Sequence, residues 1–177
     1  VSPPQLFTDP AAWQARCGQA RDAGQRLVLV PTMGYLHDGH RSLLVEARRR
    51  ADQGGRRGLA LATIFVNPTQ FGPTEDLSRY PRDLAGDLAS CEAAGIDAVL
   101  APSDPAQVFA PGHQTWVDVE RVSQGLCGAS RPGHFRGVAT VVLKLFNLTR
   151  PHAALFGEKD WQQLAVIRAM AADLACG

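Results

Sequence analysis

The stretch Leu27-Val28-Leu29-Val30-Pro31-Thr32-Met33-Gly34-Tyr35-Leu36-His37-Asp38-Gly39-His40 decides how the rest of the chain is read. Its apolar run, 27–30, has the length of a strand and no polar face, the pattern of an interior parallel strand covered on both sides. Pro31 is expected to stop the ladder, Gly34 and Gly39 to permit tight backbone paths, and a helix to run from about 39 to 51. A strand passing so directly into a helix aims backbone N–H groups and the positive helix end at whatever sits above the sheet. His37 and His40 can donate there to phosphate oxygens without a full positive charge. His40 shares a register with Leu43, Leu44 and Ala47, which places it on the core side of the first turn. The junction reads as a nucleotide site.

Outward from it, the same alternation repeats. A first helix spans 11–23, and a polar turn at 52–58 leads to a second buried strand, 59–66. A loop rich in Pro and Gly follows at 67–73. Residues 83–94 suit a helix closed by Gly95, and 96–100 a strand ended by Pro102. A short alternating strand is expected at 115–119, and 135–148 carries apolar residues at helical spacing. A strand at 153–156 and a helix at 160–174 complete the pattern. Strands alternating with helices imply an α/β domain, a Rossmann-like, mainly parallel sheet with helices on both faces. Ligands bind such sheets at the strands' carboxyl ends, near the point where strand order reverses.

Three polar groups leave strand ends and can converge there. The first is His37 with His40. The second is Asn67 with Gln70, two neutral amides suited to hydroxyl and carboxylate oxygens, or else plain loop capping. The third is Gly157-Glu158-Lys159-Asp160, with Gln163 turned inward beside Ile167 and Met170. Gly157 admits a ligand to the backbone, Asp160 is a candidate helix N-cap, and Lys159 is one of two lysines among sixteen arginines. An ordinary capped helix with a surface lysine is the other reading. Arg131, His134 and Arg136 either line a triphosphate or belong to a solvated loop. Tyr80 lies in a Pro-flanked loop able to cover the site, or on the surface. His113 and His152 have no partner pattern.

Composition narrows the class. The chain has 177 residues, 45% apolar and 20% charged, with a formal charge of +1. That fits one domain and gives no reason to expect a nucleic acid or an anionic membrane as partner. Cys17, Cys91, Cys127 and Cys176 form no Cys-x-x-Cys pair, so reduced cytoplasmic thiols are expected, and no metal site. The P-loop, the dinucleotide Gly-x-Gly-x-x-Gly and the Gly-x-Ser-x-Gly elbow are missing from the sequence.

His37-Asp38-Gly39-His40 resembles the His-x-Gly-His signature of the nucleotidyltransferase superfamily, related to class I aminoacyl-tRNA synthetases. Pro31-Thr32-Met33-Gly34, Phe65-Val66-Asn67-Pro68-Thr69-Gln70-Phe71, Tyr80-Pro81-Arg82, Arg131-Pro132-Gly133-His134-Phe135-Arg136-Gly137-Val138 and Phe156-Gly157-Glu158-Lys159-Asp160 together resemble the pantoate–β-alanine ligase family, in order from about 27 to 174.

The resemblance implies ATP as substrate with Mg²⁺. The carboxylate of (R)-pantoate attacks the α-phosphate to give an adenylate and pyrophosphate. The amine of β-alanine then displaces AMP. Carried over by motif, Met33, Gly34, Tyr35, Leu36, His37, Asp38, Gly39 and His40 bind ATP together with Gly157, Glu158, Lys159 and Asp160. His40, His37 and Lys159 take the catalytic roles, and Gln70, Gln163, Asn67 and Tyr80 hold pantoate and β-alanine. The resemblance further implies a cytoplasmic homodimer. Residues 1–177 correspond to the N-terminal ATP- and pantoate-binding domain, with the family's C-terminal lid and its second, serine-containing ATP motif lying outside them. His152 stands where the family commonly has Asp. Two other readings remain open: a different His-x-Gly-His nucleotidyltransferase, or a non-catalytic, dimeric ATP- and pantoate-binding module.

Overall fold

Among the described residues, 2–72 and 75–176, the computed structural model forms one sheet of five parallel strands. They are β1 (Gln5–Phe7), β2 (Leu27–Thr32), β3 (Leu59–Ile64), β4 (Ala98–Leu100) and β5 (Ala153–Ala154), in the spatial order β1-β4-β3-β2-β5. From β2 the chain steps outward to β3 and β4, then returns to lay β5 on the other side of β2. The strand order therefore reverses at β2, where a crevice is expected between the carboxyl ends of β2 and β5.

The strand period sorts the core into two layers. Leu27 and Leu29 face the cluster shared with α1 (Pro10–Asp22), α5 (His134–Thr149) and α6 (Trp161–Asp173). Val28 and Val30 face the cluster shared with α2 (Asp38–Ala51) and α3 (Leu84–Ala93). Both faces are covered, as the unbroken apolar run requires. Cys17 and Cys91 lie in these layers, where burial pushes their thiols up to about 12. Such thiols stay protonated and inert. No helix among the described residues is long and apolar enough to cross a membrane.

Pro31 departs from expectation in an instructive way. It stops the ladder on one side only, pairing with Thr63 inside the β2–β3 register. The carbonyls of Arg26 and Thr32 accept from the β3 side, whereas those of Leu27 and Leu29 accept from His152 and Leu155 beside β5. Pro31 is in phase with Leu27 and Leu29, so its missing N–H faces the β5 side, beyond the two residues that β5 supplies.

Two other expectations change. The 115–119 segment is not a strand. Val117 and Val119 do pack on the core, as the alternation implies, and the Val117 N–H donates to Thr140 Oγ1 of α5 at 3.0 Å. That N–H is spent on a helix side chain and not on a ladder partner. β1 escaped sequence reading because three residues hold too little periodicity, and its partner β4 lies some ninety residues further along. A short helix α4 (Leu126–Ser130) was likewise unexpected. Of the Pro- and Gly-rich loop at 67–73, Pro73 lies outside the described residues.

Candidate active site

A cavity of about 730 Å³ opens over the carboxyl ends of β2 and β5. Its wall brings together Met33, His37, Gly39, His40, Asn67, Gln70, Tyr80, Gly157, Glu158, Lys159, Asp160 and Gln163. Gly34, Tyr35, Leu36 and Asp38 are outside that wall. They shape the turn that delivers the histidines.

Gly34 has φ +82°, and a Cβ there would stand 2.7 Å from Asp87 Oδ2 and 3.0 Å from Ile64 Cγ2. Only glycine suits both the conformation and the space. The two oxygens of buried Asp87 accept from the Tyr35 N–H at 2.9 Å and the Leu36 N–H at 2.7 Å. Asp87 was missed in the sequence. Its signal was there: it lies one helical turn before buried Cys91 on α3, so its carboxylate had to find donors inside the protein.

His37 then caps α2, its Nδ1 accepting from the Gly39 N–H at 3.1 Å. The His37 N–H donates to His40 Nδ1 at 3.4 Å, and the two rings sit 4.2 Å apart. Both Nδ1 atoms act as acceptors, so each neutral ring carries its proton on Nε2 and offers that donor to a ligand. Burial holds the His40 pKa below its ordinary 6.5. His37 and Lys159 push the same way, against Asp87 and Asp160. His40 is accordingly a neutral donor at pH 7.

The amide side of the cavity is locked by its own bonds. Asn67 Nδ2 donates to Gln70 Oε1 at 3.1 Å and to the Gly137 carbonyl at 3.2 Å. Gln70 Nε2 donates to Met33 Sδ at 3.0 Å. Val138, Val141, Val142 and Leu145 of α5 add an apolar wall. A small substrate with an apolar body and several oxygens fits this half. Tyr80 closes the side, its ring edge-on to Phe71 at 5.8 Å. Burial, helped by Asp87, raises its phenol pKa, so Tyr80 stays a neutral hydroxyl.

On the far wall, Glu158–Asp160 forms a 3₁₀ turn that exposes Lys159 to the cavity. Asp160 occupies the N-cap position of α6 but its side chain makes no cap bond, contrary to expectation. Gln163 faces the cavity as its register requires. Its neighbour Gln162 is buried, with Oε1 accepting from the Cys127 N–H at 3.0 Å. Gln162 Nε2 donates to the carbonyls of Val122, Gln124 and Gly125, so this side chain ties the 122–127 loop to α6.

Arg131, His134 and Arg136 do not line this cavity. Arg131 and Arg136 edge a separate hollow of about 310 Å³, and Arg136 lies over the Trp116 ring. His113 and His152 also have partners. His113 packs 5.1 Å from both Phe109 and Trp116, and His152 Nδ1 accepts from the Leu27 N–H at 3.0 Å.

The histidines make stability depend on pH. Burial, first among several causes, holds His40, His134 and His152 below their ordinary 6.5. In the unfolded chain they take up protons at that ordinary value, so just below it the unfolded state binds more protons than the folded one. Stability present above 6.5 is therefore lost as the pH falls toward the folded values. The melting temperature is expected to be lower at about pH 5.5 than at about pH 7.5, a window above the range of ordinary carboxylates. Circular dichroism melts check this; a higher value at the acid end would contradict it.

Comparison with known proteins gives consistent findings. Residues 5–177 match the family described as pantoate-beta-alanine ligase. The pantothenate synthetase of Anaeromyxobacter dehalogenans is 82% identical over 174 residues, 98% of this chain and 60% of that protein. That of Myxococcus xanthus is 62% identical over 157 residues, 89% of this chain and 52% of that protein. The crystal structure of pantothenate synthetase from Thermus thermophilus superposes with a TM-score of 0.87 at 44% identity, over 97% of this chain and 58% of that one. Pantoate-beta-alanine ligase from Francisella tularensis, complexed with beta-gamma ATP and β-alanine, gives 0.84 at 31% identity, over 98% and 64%. The chain thus spans between about half and three fifths of the length of these curated relatives.

Proposed function

The chain belongs to the pantoate-beta-alanine ligase family, and on that premise we propose that its cavity binds ATP and (R)-pantoate and joins them as an adenylate. The observation carrying this is the convergence of His37 and His40, Lys159, and the amides Gln70 and Gln163 on one cavity at the sheet's switch point. In this reading the Nε2–H groups of His37 and His40 and the Lys159 side chain hold the phosphates. Met33, Gly39 and the 157–160 turn hold the rest of the nucleotide, with Gly34, Tyr35, Leu36 and Asp38 shaping the turn beneath. Gln70 and Gln163 take the oxygens of pantoate, its carbon skeleton lies against Val138, Val141 and Val142, and Tyr80 closes the side. Asn67, expected among the substrate contacts, has both Nδ2 hydrogens spent on Gln70 Oε1 and the Gly137 carbonyl and serves to hold Gln70.

A pantoate carboxylate oxygen attacks the α-phosphorus as the bond to pyrophosphate breaks. The β-alanine amine then attacks the acyl carbon of the adenylate, forming the amide of pantothenate and releasing AMP. For such a displacement a protein supplies mainly positioning and charge stabilisation. His40 serves by donating from its neutral ring to the oxygens on which charge accumulates. Among the described residues no cluster of three metal-ligating side chains occurs. Glu158 and Asp160, both in the cavity wall, would hold a Mg²⁺ carried with the nucleotide, which would neutralise charge on the phosphates. We assign residues 1–177 to the family's N-terminal domain and propose a cytoplasmic homodimer as its setting.

Pantoate-dependent ATP–pyrophosphate exchange on the 177-residue chain tests the reading. Exchange that requires pantoate is the expected result. Because the chain spans only part of its relatives' length, a second reading has specific support: a domain that binds both substrates without reacting them. That reading gains if exchange is missing while calorimetry still detects ATP. Exchange driven by nicotinate mononucleotide instead of pantoate would move the assignment to another nucleotidyltransferase.

A further inference from the structure

Gln70 is held from behind by residues that never reach the cavity. His134, the first residue of α5, is 8% exposed. Its Nδ1 lies 2.8 Å from the Gln70 carbonyl oxygen, and its Nε2 lies 3.1 Å from Arg131 Nη1. A carbonyl only accepts and a guanidinium only donates. One state of the ring meets both demands: a proton on Nδ1 and a lone pair on Nε2. Arg131 is itself aimed by Glu75, with Nη2 2.9 Å from Oε1 and 3.1 Å from Oε2, while Glu75 Oε2 accepts from the Gly72 N–H at 2.7 Å. A continuous chain therefore runs from the Gly72 N–H and Glu75 through Arg131 and His134 to the main chain of Gln70.

The surroundings keep the ring in that state. Burial and the Arg131 charge lower its pKa, opposed by the Gln70 carbonyl, Glu75 and Asp160. An imidazolium would turn a second N–H against the Arg131 fork. Loss of the Nδ1 bond would leave the Gln70 carbonyl without this partner and loosen the 3₁₀ turn Pro68–Gln70 from which the side chain leaves.

We propose that His134 is a positioning residue for the small-acid half of the cavity: its Nδ1–H, aimed by Arg131 and Glu75, fixes the Gln70 main chain so that the Gln70 amide meets the substrate's oxygens. This rests on the reading of Gln70 as a pantoate contact. It assigns the Arg131–His134 segment an orienting role, distinct from triphosphate binding.

Two measurements on the whole 177-residue chain test it. Nitrogen NMR of the unliganded protein at pH 7 should show His134 protonated at Nδ1 and bare at Nε2. The opposite tautomer, or an imidazolium, overturns the proposal whatever the chain binds. Calorimetry with pantoate and with ATP then separates the subsites. His134→Phe should weaken pantoate about tenfold, the scale for one buried hydrogen bond lost, and leave ATP unchanged. His134→Asn, whose Nδ2 stands where Nδ1 does, should restore most of the affinity. His134→Gln, which reaches toward Arg131 instead, should not. Acidification should weaken pantoate binding in the native chain and not in His134→Asn.

No effect in His134→Phe, or equal losses for both ligands, refutes the proposal. If His134→Phe does not fold, the contrast between the Asn and Gln variants decides. If the native chain binds no pantoate, the functional reading fails by itself. The positioning claim is then judged on the Gln70 side-chain amide resonance, which His134→Gln must shift and His134→Asn must not.

Discussion

Replacing His40 with alanine is expected to lower pantoate-dependent ATP–pyrophosphate exchange about 10²–10³-fold, the usual loss when one preorganised donor to developing charge is removed. The geometry makes this a loss of chemistry more than of structure. His40 Nδ1 is spent on the His37 N–H, and removing that bond costs the α2 cap only about 0.5–2 kcal/mol. The melting temperature should shift by a few degrees while exchange collapses. Because the ring works as a neutral donor, His40→Asn or His40→Gln is expected to recover part of the rate, which a site needing an imidazolium would not allow. Exchange within threefold of native in His40→Ala would remove His40 from the phosphate site. Equal loss in pantoate binding would relocate its role to the acid.

The second large effect falls on stability, at a glycine with nothing chemical about it. A Cβ on Gly137 would lie 2.4 Å from the Thr69 carbonyl oxygen, 2.6 Å from its carbon and 2.8 Å from Gln70 N. All three are backbone atoms, so no side chain can swing aside. Gly137→Ala is expected to force α5 away from the 3₁₀ turn Pro68–Gln70, at a cost of about 3 kcal/mol, the upper part of the overpacking range. For a chain of this size that lowers the melting temperature by about 6–12 °C. Gly157→Ala is the matched control. It has φ −73° and open space around its Cβ position, and should melt with the native protein. A Gly137→Ala chain that also melts like the native one would mean the turn can part from α5 at no cost. Asn67, bonded to the Gly137 carbonyl, would then not be fixed as described.

What could be read from the residues follows the strength of their patterns. The run 27–30 announced a doubly covered strand because alternate side chains had to find core on both faces, and they do in two separate layers. The three polar groups beyond strand ends were legible because a parallel sheet sends all its carboxyl ends the same way. Asp87, Gly137 and His134 act through backbone atoms 51, 68 and 64 residues away in sequence: the Leu36 N–H, Thr69 and the Gln70 carbonyl. No local period encodes such a partner. Arg131 and Arg136 stayed open between a triphosphate and a solvated loop for a related reason: their ion-pair partners, Glu75 and Asp118, lie too far along the chain for a local pattern to show.

Pro31 gives the cavity its mouth. Had the residue after Val30 carried an N–H, it would have pointed at the Leu155 carbonyl, and β5 would have gone on zipping along β2 past Ala154. With no hydrogen to offer there, the two chains part, and Pro31, Thr32 and Met33 become one lip while Leu155, Phe156 and Gly157 become the other. A single missing atom sets where the sheet comes unbuttoned and how deep a ligand can seat between its edges. An N–H restored at this position, as in Pro31→Val, offers the chain a longer seam at the expense of an opening.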